Sequence, residues 1–179
     1  MVTASEGNAD WRAKGMRPCP DSGAAVLLEL SPRPGTGFGG FAFLTRSECA
    51  DMAETVVSLA EARGRLQTRR APGLEDRWLE MAGPLVDQVL KKDGLSRGQV
   101  DCVIPAQVSP FFLARLPEAI GVPAGQVADF SRDLPDTLST SLFLALQRKL
   151  ELRPARPGQI VLLLAFGSGL TAAAAVYRF

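Results

Sequence analysis

The sequence predicts an α/β domain built on a mainly parallel sheet, and three observations lead there. From about residue 74 the apolar pattern runs helix, strand, helix, strand, helix, strand, strand. The last stretch, 160–179, holds two strand-length apolar runs around the turn Phe166-Gly167-Ser168-Gly169-Leu170-Thr171. Hydrophobic residues make up 46% of the 179, enough for a packed core in one or two domains.

Each element has a local reason. Ala24 to Leu30 reads as a buried strand, and 31–40, with Pro32, Pro34, Gly35, Gly37, Gly39 and Gly40, as a turn-rich loop. Phe41 to Leu44 returns as a strand. A helix is expected from Ser47 to Ala62, with Met52, Val56, Leu59 and Ala60 on one side, followed by a polar loop from Gly64 to Gly73. Leu74 to Lys92 reads as a helix despite Pro84, because Trp78, Met81, Leu85, Val89 and Leu90 form an apolar face; Gly94 ends it. Gln99 to Ile104 is a strand. Ser109 to Ile120 is a helix, with Ser109 as N-cap, Pro110 in the first helical position and Gly121 as the stop. Gln126 to Phe130 is another strand, Asp136 to Leu150 another helix, and Ile160 to Phe179 a closing hairpin whose glycines interrupt the apolar pattern before it reaches bilayer-spanning length.

Composition narrows the function. A formal net charge of +1 gives no electrostatic reason to expect nucleic-acid or membrane binding. The first twenty residues carry charges and no apolar signal region, and three cysteines without a framework fit a reducing compartment, so a cytoplasmic location is expected. Cys19 sits between prolines and Cys102 in an apolar strand. Cys49 falls near a predicted helix start, where Glu48 and Asp51 oppose any dipole effect. None of the three forms a metal motif, and no cofactor is called for. Arg63, Arg65, Arg69 and Arg70 form the one basic cluster, read either as a solvated face or as a contact for an acidic carrier protein or a phosphopantetheine phosphate.

Gly167 and Gly169 would let main-chain N–H groups approach an oxyanion closely. This ending, with Tyr177-Arg178-Phe179 behind it, resembles that of the β-ketoacyl-acyl-carrier-protein synthase III family of thiolase-like condensing enzymes. The likeness extends upstream in order. The stretch 131–146, with Asp136, Thr137 and Ser141, resembles the family's Asn-Thr-x-x-x-Ser segment, and Ala106-Gln107-Val108-Ser109 occupies the place of its His-Gln-Ala-Asn motif. Asp21 to Leu27 and Val2-Thr3-Ala4 resemble strands near the family's midpoint. The resemblance implies a thiolase-like half, layered α-β-α, mostly the family's C-terminal half. It divides the chain into remnant strands of the first half, 1–45, and the C-terminal domain, 46–179.

The departures from the family matter as much. Histidine is absent from the whole sequence, and the family's catalytic histidine position holds Ala106, which can neither donate a hydrogen bond nor take a proton. The asparagine position holds Asp136, acceptor-only when ionised. Asp136 is open to two readings: a helix N-cap, or a base or orienting group as in relatives that transfer acyl groups to hydroxyls. The family's nucleophilic cysteine lies upstream of the segment matched by Val2-Thr3-Ala4, so the chain is expected to be a split or shortened member, or one whose start lies before Met1.

Two functions from different classes follow from the resemblance. In the first, the chain is a non-catalytic or half-site subunit that shapes an acyl pocket for an active condensing-enzyme partner, in fatty-acid-like or polyketide metabolism. In the second, it is an acyltransferase completing its site with a separately encoded, cysteine-bearing N-terminal half. There Gly167 and Ser168 would face the thioester oxygen, Phe166 would wall the acyl channel, and Asp136 would serve as base or orienter. Expected partners are that half or a full condensing-enzyme subunit, with acyl carrier protein or a coenzyme A thioester, or a second copy of the chain. Phe111, Phe112 and Leu113, with Leu142, Phe143 and Leu144, are candidates for the layer that meets the partner.

Overall fold

The computed structural model describes residues 2–6, 22–31, 33–58, 65–134 and 136–179. Strands β1 (Val2–Glu6) and β2 (Ser22–Val26) pair antiparallel in a sheet of their own. Strand β3 (Gly37–Thr45) leads through a 3-10 turn, Ser47–Met52, into a second small antiparallel pair, β4 (Ala53–Ser58) and β5 (Arg65–Arg70). Helix α1 (Leu74–Lys92), strand β6 (Cys102–Pro105), helix α2 (Pro110–Ile120), helix α3 (Ser141–Leu152), and strands β7 (Ile160–Gly167) and β8 (Thr171–Arg178) follow.

The main sheet has the order β3-β8-β7-β6. The α/β class stands, but the sheet is mixed rather than mainly parallel. Only β6 and β7 run parallel, while β7–β8 and β3–β8 are antiparallel. The reason lies in the connection: three residues, Ser168 to Leu170, join β7 to β8, and a parallel crossover needs a dozen or more. Of the expected first unit, 1–45, β1 and β2 pair in a separate sheet, with the Ser22 hydroxyl 2.7 Å from that of Thr140, whereas β3 is an edge strand of the main sheet.

Both helices with a clean apolar face form where expected. α1 keeps its full span through Pro84, because Leu74, Trp78, Met81, Leu85 and Val89 bury one side of it. That burial outweighs the hydrogen bond a proline removes. The Ser109 hydroxyl accepts from the Phe112 N–H at 3.0 Å and caps α2, and Gly121 closes it in the left-handed region. The two helices cross at Gly83, where a Cβ would stand 2.8 Å from the Ala119 carbonyl oxygen.

Five expectations are corrected. The helix over 47–62 is instead a 3-10 turn and strand β4, and the polar loop after it contains strand β5. The β-branched run Thr55-Val56-Val57 disfavours a helix and pairs with Leu66, Gln67 and Thr68. Cys49 therefore gains no helix dipole. The Gln126–Phe130 strand shrinks to a single parallel bridge between Val127 and Val103, because a 3-10 turn occupies Ala124–Gln126 and the Phe130 N–H bonds the Gln107 side chain instead of a ladder partner. The last helix begins at Ser141, after a 3-10 turn over Leu138–Thr140, so Asp136 is not its N-cap. Finally, β2 ends at Val26, opposite Val2, and Leu27, Leu28 and Leu30 are exposed rather than buried.

The main sheet carries a core on each face. Leu162, Leu164, Ala174 and Val176 pack with Leu85, Phe112 and Leu116 of α1 and α2, while Cys102, Ile104 and Val161 pack under Ala145 of α3. α3 covers β6 and β7 but not the far edge. Phe41 and Phe43 of β3 stay 46% and 70% exposed on that side. Among the described residues, no helix is long and apolar enough to cross a membrane.

Candidate functional site

A cavity of about 710 Å³ opens at the carboxyl ends of β6 and β7, and every residue singled out from the sequence as a site candidate lines it: Ala106, Asp136, Phe166, Gly167 and Ser168. Ala106 sits one residue past β6, its N–H donated to the Leu164 carbonyl at 2.8 Å. Phe166 ends the apolar part of β7, its ring edge-on to Phe112 at 4.9 Å and tilted against Trp78 at 6.0 Å, which fixes it as a wall. Gly167 has a packing reason too: a Cβ there would stand 2.9 Å from the Thr171 hydroxyl.

The loop after β6 is held by Gln107, 1% exposed. Its amide nitrogen donates to the carbonyls of Pro105 and Ala128 at 2.8 and 3.1 Å, its oxygen accepts from the Phe130 N–H at 2.7 Å, and its own N–H donates to the Ser141 hydroxyl at 2.6 Å. Side chain and backbone of this one residue thus tie β6, the Val127 bridge and the start of α3 together, and Ala106 inherits its position from that clamp. Ser109 ends the same motif by capping α2 and donating its hydroxyl to Glu75 at 2.7 Å.

Asp136 is held on both oxygens. One accepts the Leu138 N–H at 2.9 Å, a turn in which the side chain bonds the backbone two residues on; the other pairs with the Arg70 guanidinium at 2.6 Å. Leu138 adopts a φ of +53° beside it, an uncommon conformation for a branched residue, and also lines the cavity. Arg70 lies over the Trp78 ring at 5.9 Å, and Trp78 Nε1 is buried with no hydrogen-bond partner among the described residues. Trp78 carries no site signal in the sequence, where it reads as helix core; Arg70 reads there as part of the basic cluster, a solvated face or a contact for an acidic carrier protein or a phosphate, and not as the partner of Asp136. Of the other arginines, Arg65 and Arg69 lie on β5 and Arg63 lies outside the described residues.

No described cysteine lines the cavity. Cys102 is buried under α3, and desolvation pushes its thiol above the ordinary range, with Asp101 adding to the shift and Lys149 opposing it. Its folded-state value being raised, the thiol stays protonated and unreactive at neutral pH. Iodoacetamide at pH 8 is expected to modify the half-buried Cys49 at least about tenfold faster than Cys102, read peptide by peptide by mass spectrometry. Equal rates would contradict that burial. Cys19 lies outside the described residues, and no group of residues suited to a metal ion occurs among those described. Of the apolar candidates for a partner-facing layer, Phe112 and Leu113 are core, Phe111 is 59% exposed, and Leu142, Phe143 and Leu144 are half-buried.

A mixed sheet with α1 and α2 on one face, α3 on the other and a cavity at the carboxyl ends of β6 and β7 is one half of a thiolase-like fold. Residues 90–179 match the family model described as 3-oxoacyl-[acyl-carrier-protein] synthase III C terminal, and the chain belongs to that family. β-Ketoacyl-[acyl-carrier-protein] synthase III 3 of Streptomyces coelicolor is 34% identical over 100 residues, and the Coxiella burnetii synthase III is 29% identical over 96 residues. These matches cover 55% and 54% of this chain and 30% of each relative. Among solved structures, synthase III of Thermus thermophilus superposes with a TM-score of 0.82 at 25% identity, over 99% of this chain and 58% of that one. The Pseudomonas aeruginosa enzyme gives 0.68 at 20% identity, over 79% of this chain and 44% of its own. The chain therefore spans less than two thirds of each of these relatives.

Proposed function

We propose that this chain is a non-catalytic or half-site subunit of a synthase-III-like acyl-thioester complex, lending an acyl pocket to a partner that supplies the nucleophile and the base. The observation that carries this reading is the cavity's chemistry. It unites the positions that the family resemblance marks as the reacting centre, yet Ala106 replaces the proton carrier there and the sequence contains no histidine at all. The bare side of the sheet around Phe41 and Phe43 supports a protein partner, either the part of the relatives that this chain does not match or a complete condensing-enzyme subunit, and a second copy of the chain is the other candidate. Acyl carrier protein or coenzyme A thioesters are the substrates in this reading, within fatty-acid-like or polyketide metabolism.

The purified chain is expected to show no turnover of acyl or malonyl thioesters alone, and Ala106→His is not expected to create condensation, because no described cysteine lines the cavity. Adding the partner polypeptide should switch turnover on; turnover by the lone chain would sink the proposal. One observation favours the acyltransferase reading: Asp136 lies in the cavity, anchored on both oxygens, as an orienting carboxylate would be. Under that reading Asp136→Asn lowers the complex's kcat about tenfold or more, whereas a pocket-lending subunit takes the loss in KM.

A further inference from the structure

We propose that Arg70 is the hydrogen-bond donor this cavity offers to the carbonyl oxygen of an acyl thioester, oriented by Asp136 and seated on Trp78. The inference deepens the proposed acyl-pocket function and rests on it. Among the described residues lining the cavity, Arg70 is the one cation, and Arg70 and Trp78 are the two whose side chains carry N–H groups. The ion pair to Asp136 at 2.6 Å occupies one of the guanidinium's five N–H donors and leaves the others unassigned among the described residues. Because the far oxygen of Asp136 is held by the Leu138 N–H, the carboxylate is restrained at both oxygens and orients the guanidinium it pairs with. The face of Trp78 below it restricts the remaining freedom.

The pair also dictates what kind of acceptor fits. Arg70 and Asp136 together carry no net charge, so a free carboxylate gains little attraction and meets the Asp136 anion. A neutral carbonyl oxygen gains a charge-assisted bond without that repulsion. The walls around it, with Ala106, Ala165, Ala172, Ala173 and Phe166, suit an alkyl chain. Arginine keeps its proton throughout the accessible pH range. Arg70 therefore takes over the oxygen-holding half of the missing imidazole's role and leaves proton transfer to another polypeptide.

Calorimetric titration of the full chain with the octanoyl thioester of N-acetylcysteamine, and with the matching thioether that lacks the carbonyl, tests this. Wild type is expected to prefer the thioester. Arg70→Gln should weaken thioester binding about tenfold or more while leaving the thioether unchanged, with Arg70→Lys in between. Arg70 is partly exposed at the end of β5, and the wild-type preference is read without any variant. Equal affinity of wild type for the two ligands, or an equal effect of Arg70→Gln on both, overturns the assignment while leaving the acyl pocket standing. Binding of neither ligand to wild type removes the pocket and this inference with it.

Discussion

Phe112→Ala is expected to destabilise the chain by about 3–5 kcal/mol, the range for emptying an aromatic site in a packed core. Phe112 is fully buried, with its ring edge-on to Phe166 at 4.9 Å and to Trp78 at 6.3 Å. Removing it deletes apolar contact and also takes away the support behind Phe166, a wall of the cavity. Because a domain's whole stability is about 5–15 kcal/mol, the loss should appear as a large fall in the urea midpoint. The adjacent Phe111 provides an internal control. It is 59% exposed and touched by Arg115 4.8 Å from its ring centre, so Phe111→Ala should cost about 1 kcal/mol or less. Similar costs at the two positions would mean that α2 is not seated as described.

The second large effect is expected at Gln107. Gln107→Ala removes the partners of two carbonyls and one N–H in a buried loop, for about 2–4 kcal/mol. Gln107→Glu sharpens the test. An ionised carboxylate still accepts from the Phe130 N–H but faces the carbonyl oxygens of Pro105 and Ala128, to which it cannot donate. Burial and those carbonyls raise the folded-state pKa of the new acid above its unfolded value of about 4.3. Relative to wild type, the variant is then most stable below that unfolded value and loses stability as pH rises through the folded one. Denaturant midpoints of both proteins from about pH 4 to 8 check the sign; a pH-independent difference would mean the side chain is not clamped.

How much of this was legible in the sequence depended on whether the deciding contacts were local. α1 and α2 were readable because their apolar faces, the Ser109 cap and the Gly121 stop all lie within the segments they govern. The closing hairpin was readable for the same reason. β4 and β5 were not: Met52, Val56, Leu59 and Ala60 mimic a helical face, and the pairing that decides otherwise comes from residues 65–70. The site divides along the same line. Ala106, Asp136, Phe166, Gly167 and Ser168 could be placed together through the order of their motifs, whereas Arg70 reaches the cavity only because β5 pairs with β4. Gln107's clamp had no local signature, since its partners at Ala128, Phe130 and Ser141 lie 21 to 34 residues away.

Strand β3 closes the matter of how such a chain lives. It is an edge strand of the sheet, with no further strand beside it among the described residues and with Phe41 and Phe43 largely exposed. An exposed apolar edge of that kind is a template for pairing with another chain. In the proposed complex, how long the free polypeptide persists before pairing with copies of itself is thus set by how quickly the partner covers that strand.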